Sequence, residues 1–282
     1  MELRRRYVFR GNAAAFGGRI VRPEDVVLEM PGASSLPVVG GRSVSKIPKT
    51  RFKDFVAFDS ATTLAEGLFD DLRGVVALSN HTVREDSLKA TTRVHAELKK
   101  LVVGRKRRLQ AERLSAELRS QSPTGSGQPR IVVGDVAVEG VKIDGFELKV
   151  ELEQGVFQKY DTHAKLLVAA DEADFARKYG HHLFMNTDFE GRLAPPAGRL
   201  VPTSDTIYAT IVKKISWRGE PNPAARIEHH SVVVKDFGTI FFGELFITSA
   251  SRRLTMVRLE LGSDEGGSAG GPEVDMNGSW SP

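Results

Sequence analysis

The chain contains no cysteine. Disulfides, thiolate metal sites, iron–sulfur clusters and a cysteine nucleophile are thereby excluded, and the composition fits a cytoplasmic compartment. Long apolar runs are missing as well: no stretch approaches the roughly 18 residues of a membrane-spanning helix. The opening MELRRRYVFRGNAAAFGG begins basic, but charge and glycine interrupt it before an apolar stretch of signal-peptide length accumulates. A cytoplasmic protein without a transmembrane segment is the expectation. Phosphate-loop patterns are also lacking. GNAAAFGG has glycines without the Lys-Ser/Thr that grips a phosphate, and GDVAVEG lacks the dinucleotide spacing. No serine sits in a nucleophile elbow. An enzyme is therefore the less favoured class, with no catalytic residue to name and no cofactor expected. No fixed-period repeat is present.

What is present is enough apolar residue, 40% of 282, to bury a sizeable core. In VKIDGFELKVELE, Asp144-Gly145 is a two-residue hairpin turn. Phe146, Leu148, Val150 and Leu152 then alternate with Glu147, Lys149, Glu151 and Glu153. That period of two predicts a half-buried antiparallel strand. In KDFGTIFFGELFITSASRRLTMVRLELGS, alternation places Ile240, Phe242 and Phe246 on one face and Phe241, Leu245 and Ile247 on the other. A central strand covered on both sides is predicted, followed by a turn at Ser249–Arg252 and a second strand through Leu261. YVFRGNAAAFGGRI, DVVLEM and FKDFVAF read as short strands, MPGASSLPVVGG as a loop, and TIYATIVKKISW as one strand. Asp161 is a candidate cap for THAKLLVAA, and DEADFARKYG has acids first and bases last, so a short helical insertion is predicted near 161–180. The fold class is mainly β, with antiparallel sheets and long amphipathic hairpins. One β-rich domain over 1–262 is expected, with a candidate boundary near 121–130 and a Gly/Ser-rich tail over 263–282.

The segment LKATTRVHAELKKLVVGRKRRLQAERLSAELRSQ is ambiguous. Its composition favours helix. Its pattern favours strands: Val94, Ala96 and Leu98, a one-residue slip, then Leu101 and Val103; Leu109 and Ala111, a second slip, then Leu114, Ala116 and Leu118. Such slips mark bulges. Charge concentrates in this segment. Nine basic residues between Arg93 and Arg119 face only Glu97, Glu112 and Glu117, a local surplus above the net +4 of the whole chain. Lys99, Lys100, Arg105, Lys106, Arg107 and Arg108 surround a turn near Gly104 and are the candidate polyanion-binding residues. As exposed charges, Arg105, Lys106, Arg107 and Arg108 are expected to contribute little to stability. The competing reading is a hairpin whose charges guard its edges from other sheets.

His181-His182 and Glu228-His229-His230 are the candidate metal ligands. Neighbours on a strand point to opposite faces, so a site would need one member of each pair, His182 and His230 being the first to test, with Asp188 or Glu228 as third ligand. No metal is expected. Asn80-His81-Thr82 matches a glycosylation triplet, and Asp70-Asp71 is a surface-type carboxylate pair.

ASSLPVVGG, VAFDSATT, LQAERLSAELRSQSP, VKIDGFELKVEL, DTHAKL, DFGTIFFGELFITSASRRLTMVRLELGS and NGSWSP occur in one order. That order resembles a bacterial group, the choice-of-anchor P type proteins and their soluble relatives. The resemblance implies a β-ribbon for the basic segment and carries over no catalytic residue. It also implies members with secretion signals, from which this chain departs. The functional expectation is a structural or assembly module that acts as a homo-oligomer or docks a protein partner. The alternative is binding of an anionic polymer or surface, nucleic acid included, through residues 93–119.

Overall fold

The computed structural model describes residues 6–69, 89–123, 128–170, 172–179, 207–249, 251–262 and 266–281. His181, His182, Asp188, Asp70-Asp71 and Asn80-His81-Thr82 lie outside the described residues. Two eleven-stranded antiparallel sheets dominate the fold, with a small ladder between Arg6–Val8 and Ser279–Ser281. The first sheet is centred on the hairpin Lys89–Val103 and Leu109–Pro123, hereafter the charged hairpin. The second is centred on Gly238–Ile247 and Ser251–Leu261, the apolar hairpin. The sheets share two apolar clusters. One joins Val94, Ala96, Ala116 and Leu118 to Leu245, Leu254, Met256 and Val274. The other joins Leu98, Leu101, Leu109 and Leu114 to Ile240, Phe242, Val257 and Leu259. The two inner faces thus interdigitate as in a sandwich.

The basic segment is a β-ribbon, as its alternation suggests. Its helix-forming composition is overridden because each strand buries one complete row of side chains, which outweighs intrinsic propensity. The Phe146–Leu152 strand follows its predicted face, with Leu148 buried and Lys149 exposed. The Asp144-Gly145 turn has positive φ at both positions, 52° and 88°. The helical insertion starts earlier than 161: α1 spans Gly155–Lys159, α2 His163–Ala170 and α3 Ala173–Tyr179. Phe157, Leu166, Phe175 and Tyr179 attach them to the first cluster. Thr162, not Asp161, caps α2, its Oγ1 accepting from the Lys165 amide at 3.4 Å. The Asp161 carboxylate instead accepts from Lys165 Nζ at 2.7 Å.

Four expectations need correction. Strict alternation fails in the apolar hairpin. Its ladder pairs Phe242 with Val257 and Glu244 with Thr255 but skips Gly243 and Met256, so the inward row passes from Ile240 and Phe242 to Leu245 and Ile247. Phe246 therefore lies off the core row. Gly243 has φ of 60°, and a Cβ there would lie 2.7 Å from Ile211 Cγ1. The second correction explains that contact. TIYATIVKKISW is two strands, Ile207–Thr210 in the second sheet and Val212–Trp217 in the first. Ile211 is the crossing point: its amide bonds Gly243 O at 2.9 Å, and its carbonyl accepts from Glu153 N at 2.8 Å.

Third, 263–282 is not a free tail. Gly267–Gly270 and Glu273–Asn277 both pair with the apolar hairpin, and Val274 and Met276 are buried. The Gly/Ser composition masks a short alternating strand. Fourth, Ala33–Ser35 inside the expected loop pairs with Gly11–Ala14. Residues 121–130, the candidate boundary, join strands that pair with each other, Leu118 opposite Val133 through Gln121 opposite Arg130. Among the described residues no helix is long and apolar enough to cross a membrane.

Candidate functional site

The ladder of the charged hairpin runs from Lys89 opposite Pro123 to Val103 opposite Leu109. Both strands change parity at one facing position, Lys100 against Glu112, which the ladder skips without changing register. Lys100 takes φ of 53° there. The two slips in the sequence are therefore one structural feature, an unpaired position on each strand facing the other, rather than the bulges expected.

Register decides which outward charges meet, because directly opposed side chains stand roughly 4.5–5.5 Å apart. Arg93 faces Glu66 and Arg119, and His95 faces Glu117. Glu117 is fully buried although it belongs to the outward row. Arg93 donates to its Oε2 from Nε at 3.1 Å and from Nη2 at 2.7 Å, and Arg119 Nε donates to Oε1. His95 Nδ1 lies 3.4 Å from Oε2. Gly134 closes the site, since any Cβ there would collide with the carboxylate. Burial by itself would raise the Glu117 pKa, but the neighbouring His95 and the hydrogen bonds from Arg93 and Arg119 outweigh it and hold the group at about 2. One buried carboxylate thus allows two like charges to face each other. Further along, Arg113 reaches Glu97 at 2.7 Å, Asp135 at 2.9 Å and Glu139 at 3.3 Å.

The six candidate polyanion-binding cations divide into engaged and displayed. Lys99 pairs with Glu97 at 3.2 Å and Lys100 with Asp59 at 3.2 Å. Arg108 is a clamp. It bonds both Asp144 oxygens, donates to Lys235 O at 2.8 Å and Asp236 O at 3.3 Å, and lies over the Phe237 ring. It ties the hairpin tip to the Asp144-Gly145 turn and to the second sheet, so it is not the exposed charge expected of it. Arg105 lies 4.8 Å over the Phe55 ring. Lys106 and Arg107 are displayed. With Gln110 and Lys142 they line an open depression of about 570 Å³, floored by Asp144 and Gly145. Lys142 escapes a reading of the sequence because it lies on another hairpin, placed there by its pairing opposite Gln110.

Of the candidate metal ligands His182, His230 and Asp188, only His230 lies among the described residues. His229 and His230 lie in a turn rather than on a strand, with His229 at φ of 52°, so their rings meet edge-on and their Nδ1 atoms lie 3.2 Å apart. That corrects the expectation that they diverge. Glu244, 3.6 Å from His230 Nε2, is held by both Nε and Nη2 of Arg258 at 2.6 and 2.7 Å. Among the described residues no three His, Asp or Glu side chains converge to hold an ion.

Of the sheet edges, two display an exposed valine between charged residues. Gly41–Ile47 pairs only with Ser60–Phe69, and Val26–Leu28 only with Gly17–Ile20, among the described residues. Arg42, Val44 and Lys46 are exposed on the first edge. Asp25, Val27 and Glu29 are exposed along the second.

Two antiparallel sheets closed over shared apolar clusters, with free edges on both, define a sandwich scaffold. The family model described as "Domain of unknown function (DUF8256)" matches residues 7–248, and the chain belongs to that family. No curated protein and no solved structure matches it.

Proposed function

We propose that the protein is a non-enzymatic structural or assembly module of the cytoplasm, whose sheets associate with further protein through their free edges. One observation carries this reading. Of the eight large apolar side chains that are exposed among the described residues, seven lie on or beside the two edges: Val21, Val27 and Met30 at one, and Val38, Val39, Val44 and Leu68 at the other. A single exposed valine means nothing, whereas a concentration of them marks an interaction site. A free edge also presents unpaired N–H and C=O groups that an added strand satisfies. The ion-pair lattice of the charged hairpin supports the same reading, because it neutralises most of the basic segment within the chain. Sedimentation velocity across the micromolar range tests it. The expected result is a sedimentation coefficient that rises with concentration and is reset to that of a single chain by Val27→Lys with Val44→Lys. A single chain at every concentration overturns it.

A second reading, binding of an anionic polymer, is favoured by Lys106, Arg107 and Lys142 lining one open depression. It predicts retention on heparin at physiological salt, lost when these three become serine. On duplex DNA the salt slope should change by about −0.9 per phosphate contact. Equal retention of parent and variant eliminates this reading.

A further inference from the structure

We propose that these two of the sheets' free edges, Val26–Leu28 and Gly41–Ile47, are complementary to each other, so that the occupant of each is the opposite edge of a second copy of this chain. This rests on the assembly reading and specifies its contact. Along Val26–Leu28 the exposed row is acid, valine, acid: Asp25, Val27 and Glu29, while Val26 is half-buried and Leu28 buried. Along Gly41–Ile47 the exposed row is base, valine, base: Arg42, Val44 and Lys46, while Ser43, Ser45 and Ile47 are half-buried.

Antiparallel pairing with Val27 opposite Val44 sets Asp25 opposite Lys46 and Glu29 opposite Arg42. Side chains of opposed residues share a face, so the alignment also places Leu28 opposite Ser43 and Val26 opposite Ser45 on the inward side. The exposed row of one copy continues that of the next. Pairing an edge with itself fails by the same rule. About Val44 it opposes Arg42 to Lys46, and about Val27 it opposes Asp25 to Glu29. Each edge rejects its own kind and accepts the other, and specificity of this sort needs both the attraction and the repulsion.

The charges are available for this role. Glu29 and Lys46 make no ion pair among the described residues. Asp25 accepts from Arg19 Nε at 2.8 Å and from Arg19 Nη2 at 2.5 Å, and Arg42 lies 3.7 Å from Glu66. Both pairs have an arginine more than half exposed, so water screens them and an opposing charge of an incoming edge can add to or compete with them. Each copy carries both members of this acid–valine–acid and base–valine–base pair. The contact is therefore heterologous and adds copies head to tail rather than closing a two-fold pair through one patch.

Charge reversal with complementation tests this. One variant carries Arg42→Glu and Lys46→Glu, so both its edges are acidic. The other carries Asp25→Lys and Glu29→Lys, so both are basic. The parent should grow in mean mass with concentration, by light scattering, beyond that of two chains. Either variant alone should associate on the order of a hundredfold more weakly, because opposed like charges cost several kcal/mol at an interface. A one-to-one mixture of the variants should recover association. If the parent associates and the variants associate equally well, the edge pairing is overturned while the assembly reading stands. Failure of the mixture to recover also overturns the edge pairing. A parent that stays a single chain at every concentration overturns both.

Discussion

In the charged hairpin the inward row changes parity at Lys100 and Glu112; in the apolar hairpin it changes at Gly243 and Met256. The device is the same in both: one facing pair skipped by the ladder, which leaves the register intact. The residues differ because of what lies behind them. Lys100 is exposed, so a lysine can occupy the positive-φ position with its side chain in water. Gly243 is buried under Ile211, where the chain crosses between sheets, and only the absence of a Cβ lets the backbones approach. The outward faces diverge in the same way. Phe241 on the apolar hairpin is capped by Arg258, 3.9 Å over its ring. The charged hairpin instead buries Glu117 beneath its own arginines.

The largest effect should come from Gly243→Val. It adds a branched side chain at positive φ against Ile211, and should cost about 3 kcal/mol or more in urea unfolding. A loss below 1 kcal/mol would mean that the crossing can move aside. Next, Glu117→Ala leaves Arg93 and Arg119 facing each other without the carboxylate, and should cost about 2 kcal/mol. Acid should reproduce this. The Glu117 pKa is depressed from the ordinary 4.5 to about 2, so its stabilisation is complete above 4.5 and is lost as pH falls towards 2. Hydrogen exchange should then show the charged hairpin losing protection in that window before the apolar hairpin does. Simultaneous loss would mean that the two sheets unfold as one unit.

Smaller effects separate clamp from display. Arg108→Ser should lower the melting temperature, at about 1–2 kcal/mol for several charge-assisted hydrogen bonds. Lys106→Ser and Arg107→Ser should stay within about 0.5 kcal/mol. Equal effects from all three would place Arg108 in solvent. The smallest change is Lys100→Gly. It should be neutral or stabilise by up to about 1 kcal/mol, since glycine adopts positive φ without strain. A clear loss there would mean that the Lys100–Asp59 pair matters more than backbone strain.

Much of the fold was legible in the sequence. The alternation at Phe146–Leu152, the Asp144-Gly145 turn and the slips at Leu98/Leu101 and Ala111/Leu114 each encode a local backbone event through side-chain period. The candidate site was legible only in part. The surplus of cations between Arg93 and Arg119 was visible, but their partners were not: Glu139 comes from another strand, and Asp59, Asp135 and Asp144 from the bends and turns between strands. The Gly41–Ile47 edge left little trace, because an exposed strand need not show an apolar period.

By itself, the sequence determined the fold class, the turns, the helical insertion and the excess of charge, since each depends on residues within a few positions of one another. Tertiary structure alone decided that Arg108 is a clamp, that Glu117 ionises while buried, that residues 267–277 belong to the second sheet, and that TIYATIVKKISW crosses between sheets at Ile211. Each of these depends on which distant strand lies alongside. Pairing across a sheet is set by the summed burial of whole rows, which no local stretch of residues contains.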